Sequence, residues 1–285
     1  MLESLVNPKR VEKGSWKMLF IGLLYGSLSL LLVHWFFSRD AVLSKFSGMI
    51  VVLFCVMFSL PFIYYVIKKE EKQDEEIEGI LHVWKAHSDA IFAFMWLFLG
   101  FLIAFSFWYI LLQNTSLFNA QLETYCMINS PGGIENCVAK YSDIQGMMSG
   151  ASTGMVSFLS IIENNIYVMI FTLLLSLIFG AGAIFVLAWN ASVIASAIGV
   201  FTRYHLAQVP IGILRYMIHG VPEIAAYFTT ALAGGILGIG ILRHGVKDPR
   251  FLRVIENVVI LLFISLALLV VAGLMEVYLT PLFFR

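Results

Sequence analysis

The sequence predicts an all-α, polytopic helical membrane protein, and both composition and charge patterning indicate it. Of the 285 residues, 60% are hydrophobic and 13% are charged, whereas soluble chains average about 45–50% and about 25%. Stretches without Asp, Glu, Lys or Arg recur along the chain, and many reach the roughly 20 apolar residues that a helix needs to cross a bilayer. This composition excludes a water-soluble fold.

Five of these stretches directly predict membrane-spanning helices, at 18–38, 46–67, 91–112, 224–242 and 257–275. A sixth stretch, 164–202, has 39 positions without a charged residue, and one straight helix of that length would extend about 58 Å. It must bend or divide. We expect the division at Trp189–Asn190, because Asn favours helix ends, which leaves a long span at 165–188 and a short helix at 191–204.

The basic residues indicate whether the short helix crosses the membrane. If it crosses, 12 of the 18 Lys and Arg residues lie on the side of the N-terminus, and if it re-enters, 11 do. Because cytoplasmic loops are enriched in Lys and Arg, seven crossings with a cytoplasmic N-terminus are favoured over six. The apolar run at 18–38 is longer than a signal-peptide core and no cleavage site follows it, so we expect the N-terminus to be retained.

The spans divide the chain into a three-span region at 1–112, an external connection at 113–157 and a membrane domain at 158–285. Residues 68–89 hold 11 of the 36 charged residues. An amphipathic helix is predicted there by apolar residues at helical spacing, namely Ile77, Ile80, Leu81 and Trp84. Its charges form either a solvated face along the membrane or a docking surface for a cytosolic partner, and both interpretations stay open.

The three cysteines do not form a metal-binding pattern. Cys126 and Cys137 lie on either side of a predicted turn at 130–133, so a disulfide in an external connection is expected, with two free thiols as the alternative. Cys55 lies within a span, where a small apolar filler is expected. Neither a metal nor a cofactor is predicted.

Small residues at four-residue spacing predict where helices pack closely, since they let backbones approach one another in a bilayer. One stripe lies on the 224–242 span and another on the short helix. Their members are Ala226, Thr230, Gly234, Gly238, Ala191, Ala195 and Gly199. Gly180 and Gly182 add a third place for close approach. We expect these helices to pack against each other or across a homodimer, surrounded by membrane lipids.

Polar residues in or near the spans are candidates for ligand or ion binding, because each needs a partner or water. These candidates are Glu163, Asn164, Asn165, Asn190, His219, Glu223 and Glu276. Asn164 and Asn165 are expected to open the long span and Asn190 to close it. Apart from Asn190, we expect these residues to form one cluster near the outer surface.

The pentapeptide HGVPE at 219–223 admits three interpretations. Pro222 restricts the residue before it and fits the first turn of a helix, so a helix is expected to stop and restart at 220–222. His219 and Glu223 would then be complementary helix caps. A broken helix also builds ion and substrate sites in transporters, so a permeation or ligand site is the second interpretation, and a metal site is the third.

Three segments together resemble the stage II sporulation protein M family of integral membrane proteins. They are FLSIIENNIYVMIFTLLLSLIFGAGAIFVLAWN, then HGVPEIAA, and LMEVYLTP near the end. The resemblance covers about 155–285 and leaves 1–112 as an added helical region. It implies a prokaryotic cell membrane location and action within an oligomer or a complex.

Two functions remain, since no nucleophile elbow, Walker loop or dinucleotide fingerprint is present, and an enzyme is not expected. With 18 basic and 18 acidic residues, the chain has no net charge to attract nucleic acid. The favoured function is an oligomeric scaffold or a subunit of a membrane complex, because the polar residues collect near span ends. The alternative is an ion or small-solute channel or transporter that uses the 219–223 segment.

Overall fold

The computed structural model describes residues 15–40, 42–74, 79–113, 115–129, 154–179, 183–202, 205–244 and 248–283. Within these ranges the protein is helical and has no strand. The α-helices are α1 (Lys17–Phe36), α2 (Ser47–Asp74), α3 (Ile80–Leu112), α4 (Asn119–Asn129), α5 (Gly154–Phe179), α6 (Ala183–Thr202), α7 (Val209–His244) and α8 (Pro249–Leu274). A π-helical segment, Met275–Leu279, and a last helical turn, α9 (Thr280–Phe283), follow α8.

Short 3-10 helices precede three of the α-helices. They are Leu43–Phe46 before α2, Thr115–Phe118 before α4 and Leu206–Gln208 before α7. Among the described residues, seven helices are long and apolar enough to cross a membrane, namely α1, α2, α3, α5, α6, α7 and α8 with its extension. The prediction of an all-α polytopic protein is confirmed.

The helices differ in how deeply they lie in the bundle. In their apolar windows, 67% of the residues of α3, 61% of those of α6 and 72% of those of α7 are buried, but only 17% of those of α5. Helices α3, α6 and α7 therefore form the centre, and α5 lies at the periphery.

Helices α5 and α7 run parallel to each other. Gly234 packs against Leu173, and Gly238, one turn later, packs against Leu177, one turn later on the other helix. A re-entrant α6 between them would make the two helices antiparallel. The structure therefore agrees with seven crossings, and α6, at 20 residues, extends about 30 Å, which is enough to cross.

The expected division at Trp189–Asn190 is wrong, because the long apolar stretch divides between Phe179 and Ala183. Two of the three intervening residues are Gly, which disfavours a helix interior, and these residues, with Gly180 and Gly182 among them, lie outside the described part of the chain. Asn190 lies inside α6. Its Nδ2 donates to the carbonyl oxygen of Val186 at 2.8 Å, a bond that keeps the amide compatible with a helix.

The expected interruption at 220–222 is also wrong, because α7 continues through Pro222 without a break. Proline has no N–H, so the carbonyl of Ile218 loses one helical hydrogen bond. Neighbouring helices keep such a helix intact in a membrane protein. His219 and Glu223 consequently lie on one helix, four residues apart on the same face.

The predicted amphipathic helix at 68–89 is not a separate element. Helix α2 continues to Asp74, and α3 begins at Ile80. Glu70 and Glu71 are 4% and 0% exposed, so these two charges do not belong to a solvated face. They are buried because other helices supply their partners, as described below.

The closest helix crossing in the N-terminal part joins α1 to α3. A Cβ atom built on Gly22 would lie 2.3 Å from the carbonyl oxygen of Leu97, and one built on Gly100 would lie 2.3 Å from that of Leu19. Real Cβ contacts are never this short, so only glycine fits at this crossing. Neither glycine was among the residues predicted to pack closely.

The small-residue stripes pack within one chain. Gly234 and Gly238 contact α5, whereas Gly199 packs against the ring of Tyr109 on α3. Ala191 and Ala195 are fully buried. The stripes therefore explain the packing of the monomer and no longer argue for a homodimer.

Candidate functional site

Four polar residues form a stripe along one face of α7. Arg215, His219, Glu223 and Tyr227 recur at every fourth position, and residues four apart on a helix lie one above the other. We call them the polar stripe. Arg215 and Tyr227 were not predicted as site residues because the helix was expected to stop and restart at 220–222, although their four-residue spacing was the signal that could have found them.

The π-helical segment and α9, which we together call the C-terminal segment, face this stripe. The C-terminal segment carries Glu276. Glu276 lies within the π-helical segment, where the wider helical turn changes the direction of its side chains. The hydroxyl of Thr280 donates to the carbonyl oxygen of Met275 at 3.1 Å, and His219 Nδ1 lies 3.1 Å from the same Thr280 Oγ1. When the hydroxyl proton is donated to Met275, the Thr280 oxygen can still accept a hydrogen bond from a His219 Nδ1–H group.

Glu223 and Glu276 form a carboxyl pair between the two helices. Tyr227 Oη donates to Glu223 Oε1 at 2.8 Å. The carboxyl of Glu276 is close enough to interact electrostatically with both Glu223 and Tyr227. Two carboxylates that interact in this way repel each other unless a proton or a cation neutralises one of them. We call His219, Glu223, Tyr227, Glu276 and Thr280 the carboxyl cluster.

Arg215 lies at the end of the polar stripe that is nearer to the start of α7. Its guanidinium carbon lies 4.8 Å from the ring centroid of Phe201, which is a cation–π contact with α6. Arg215 also interacts electrostatically with His219. The stripe therefore changes from basic to acidic along α7.

The three polar residues predicted at the start of α5 do not all join this cluster. They lie in the third turn of α5, not at its start, because the helix begins at Gly154. Glu163 and Asn164 are exposed on the outer face, and Asn165 is 6% exposed. Asn164 Nδ2 donates to Asn165 Oδ1 at 3.3 Å. The structure thus brings His219, Glu223 and Glu276 together and leaves Glu163 and Asn164 at the periphery.

A small cavity lies directly beside the carboxyl cluster, between α5, α6 and α7. Its volume is about 10 Å³, measured as the space open to the centre of a water molecule, which is about the space that one water needs. Its polar lining comes from Thr172, Asn190 and Tyr227, and apolar residues complete it. Asn190 therefore shares the cavity with Tyr227, the side chain that is hydrogen-bonded to Glu223 of the carboxyl pair.

A second group of charged residues joins α2, α3 and α7 near their other ends. His87 Nδ1 lies 2.8 Å from Glu70 Oε2, and Arg243 Nη1 donates to Glu71 Oε2. His87 is fully buried. We call Glu70, Glu71, His87 and Arg243 the ion-pair cluster. This cluster was not predicted, because a run of charged residues beside a span is usually solvated.

The two clusters lie one bilayer core apart. Glu223 and Arg243 are 20 residues apart on α7, which is about 30 Å along a helix, and the hydrocarbon core of a bilayer is also about 30 Å thick. The spacing of the carboxyl cluster and the ion-pair cluster along α7 therefore matches the thickness of a bilayer core.

The cysteines partly follow the expectation. Cys126 of α4 is buried and disulfide-bonded, and Cys55 is a buried free thiol. Cys137 lies outside the described residues, so its pairing with Cys126 stays a prediction. Helix α4 also contacts α2 through Gln121, whose Nε2 donates to the carbonyl oxygen of Gly48 at 2.9 Å.

No group of three or more His, Cys, Asp or Glu that could hold a metal ion is found in the part of the chain that the structure describes. The carboxyl cluster has two carboxyls, one imidazole and two hydroxyls. Groups of these kinds can form hydrogen bonds and exchange protons, and a single cation could neutralise the charge of the carboxylates.

The seven long apolar helices in the described part of the chain define an integral, multi-pass helical membrane protein. The model of the family described as stage II sporulation protein M matches residues 50–281, and the chain belongs to that family. The match begins well before residue 155, so α2 and α3 lie within it and not in an added region. No curated protein and no solved structure showed significant similarity to the chain.

Proposed function

We propose that this protein is a structural subunit of a membrane assembly, and that it is itself oligomeric. The observation that carries the proposal is the use of its polar residues. Those of the carboxyl cluster connect α7 to the C-terminal segment, and those of the ion-pair cluster connect α2, α3 and α7. Both clusters hold helices together, as a rigid platform requires.

The cavity beside the carboxyl cluster supports the same function. Its volume of about 10 Å³ is about the space that one water molecule needs. The central helices are closely packed around it, with α7 72% buried in its apolar window. A packed centre of this kind suits a protein that holds partners in position.

Helix α5 offers the surface for self-association that we favour. It is the most exposed of the seven candidate spans. Its outer face carries Glu163 and Asn164 near one end and apolar residues such as Leu174 along the rest. Both copies of a membrane protein share one orientation, so the two-fold axis of a dimer would lie along the membrane normal and bring Asn164 against its counterpart. Because an amide both donates and accepts, the two Asn164 side chains could form hydrogen bonds with each other.

The test is disulfide crosslinking in membranes combined with native mass spectrometry in nanodiscs. In a Cys55→Ala background, Leu174→Cys on α5 is compared with Phe263→Cys, an exposed position on α8. We expect a defined oligomer that crosslinks efficiently through Leu174→Cys and poorly through Phe263→Cys. A protein that is monomeric in nanodiscs at micromolar concentration would contradict the proposed function.

Permeation of an ion or small solute is the second candidate, and the Glu223–Glu276 carboxyl pair favours it. Intramembrane carboxyls mark ion and proton pathways in transporters. The test is ion flux in proteoliposomes, comparing wild type with Glu223→Gln and His219→Ala, and using Glu163→Gln as the control because that carboxyl is exposed. Flux lost in the first two variants alone would support permeation, and no wild-type flux would contradict it.

The orientation in the membrane is proposed from charge. Seven crossings place 12 of the 18 Lys and Arg residues on the N-terminal side, and we propose that this side is the cytoplasm of a prokaryotic cell. A reporter that is active only in the cytoplasm, fused to the N-terminus, should be active, and the same reporter at the C-terminus should be silent.

A further inference from the structure

The cavity between α5, α6 and α7 has hydrogen-bonding capacity that protein contacts do not use. It lies beside Thr172, Asn190 and Tyr227, each from a different helix. Thr172 and Tyr227 are 1% and 4% exposed. Polar groups at such depth are normally hydrogen-bonded, and a buried water often supplies the missing bonds.

The hydrogen-bond donors and acceptors that protein contacts leave unused can be counted for each of these side chains. The Thr172 hydroxyl donates to the carbonyl oxygen of Val168 at 2.7 Å, so its oxygen can still accept. The Tyr227 hydroxyl donates to Glu223, so its oxygen can also accept. Asn190 uses one amide hydrogen on Val186, which leaves its second hydrogen and its carbonyl oxygen.

One water molecule fits this set of groups. It would accept from the second amide hydrogen of Asn190 and donate its two hydrogens to two of the three available oxygens. Three hydrogen bonds are typical of a buried water. The cavity volume of about 10 Å³ is also that of a single water, at the lower limit of the range.

We propose that this cavity is a binding site for one structural water molecule, which links Tyr227 to Asn190 and Thr172. The water extends the hydrogen-bond chain of the carboxyl pair from Glu223 through Tyr227 to α5 and α6. The chain then joins three helices of the bundle at one point, beside the site where the C-terminal segment docks. This site is independent of the proposed oligomer, because all of its residues belong to one chain.

X-ray hydroxyl-radical footprinting tests the site, because radicals form from trapped water and oxidise the side chains next to it. Purified full-length protein in nanodiscs is irradiated for milliseconds, and Tyr227 oxidation is compared with that of Phe101, an aromatic residue that is also fully buried. We expect Tyr227 to be oxidised several-fold faster than Phe101 after correction for intrinsic reactivity. Equal rates would overturn the proposal.

Two matched variants identify the groups that hold the water. Thr172→Val and Thr229→Val each remove a buried hydroxyl that bonds to the carbonyl four residues earlier, but only Thr172 lines the cavity. Tyr227 oxidation should fall at least two-fold in Thr172→Val and stay unchanged in Thr229→Val. An equal response of the two variants, or no response in Thr172→Val, would overturn the assigned partners. Both substitutions preserve side-chain shape, and a single cooperative melting transition in each variant verifies that it is folded.

Discussion

His219 Nδ1 lies 3.1 Å from Thr280 Oγ1, so a side chain of α7 contacts the first residue of α9. The two residues are 61 positions apart in the sequence. Thr280 also donates to the carbonyl of Met275, at the start of the π-helical segment. The contact therefore supports the local geometry that presents Glu276 to Glu223.

This contact predicts coupling between His219 and Thr280. His219→Ala should lower the free energy of unfolding by about 1 kcal/mol, because it removes one partly buried hydrogen bond, and Thr280→Val by about 2 kcal/mol, because it also removes the bond to Met275. The double variant should cost about as much as Thr280→Val alone. Reversible unfolding in mixed micelles measures all three.

The control for this cycle is Thr229→Val, whose hydroxyl bonds only to its own helix. Its effect should add to that of His219→Ala. If Thr280→Val is also simply additive with His219→Ala, the two side chains do not act as a pair.

The Glu71–Arg243 ion pair makes a prediction about the ion-pair cluster. Arg243→Met should lower the free energy of unfolding by about 3 kcal/mol, because it removes a counter-ion from a fully buried carboxylate. The double variant Glu71→Met/Arg243→Met should recover most of this loss, since the carboxylate that lost its counter-ion is removed as well. Chemical unfolding of the purified protein measures the difference.

Arg250→Met is the matched control, because Arg250 is an exposed basic residue near the same end of the bundle. Its effect should stay within about 0.5 kcal/mol. An equal loss in Arg243→Met and Arg250→Met would show that the ion pair contributes nothing specific.

The close crossing of α1 and α3 at glycine residues predicts that adding one methyl group there strongly lowers the stability of the protein. Gly100→Ala would place Cβ 2.3 Å from the carbonyl oxygen of Leu19, and backbone cannot move aside as a side chain can. We expect a loss of about 1–3 kcal/mol, visible as a lower melting temperature in detergent. Gly240→Ala is the comparison, because its Cβ would meet a methyl group of Val254 at 3.2 Å. If Gly240→Ala destabilises as much, the crossing is not specially tight.

Much of the fold followed from the sequence, because the bilayer restricts it strongly. Charge-free stretches of the right length predicted the spans, and the Lys and Arg distribution favoured seven of them. His219, Glu223 and Glu276 were identified by being polar in an apolar chain. These signals are local, so they do not depend on tertiary contacts.

The remaining features depend on packing that a single sequence does not show. A proline usually ends a helix, and α7 continues through Pro222 only because neighbouring helices stabilise it there. Glu70 and Glu71 follow a span and precede more charges, as solvated residues do, and their burial depends on His87 and Arg243 from other helices. Asn190 similarly tolerates the interior of α6 because its side chain bonds to Val186.

Asp40, which lies between the first two spans, predicts a local response to acid. Its Oδ1 accepts from the backbone N–H groups of Val42 and Leu43, each at 2.8 Å. These bonds favour the charged form and hold the pKa of Asp40 below its ordinary value of 3.8. A carboxyl whose pKa is lower in the folded state contributes stability above its unfolded pKa, and this contribution is lost as the pH falls through the folded pKa.

The turn after Asp40 should therefore lose hydrogen-exchange protection as the pH is lowered below about 4, with intrinsic rates corrected for pH. Mass spectrometry of peptides that cover Leu43–Phe46 measures it. Asp40→Asn is the control, since its amide oxygen can accept the same bonds but does not titrate. Protection should then stay constant between pH 3 and 6. The same acid response in Asp40→Asn would show that another group causes it.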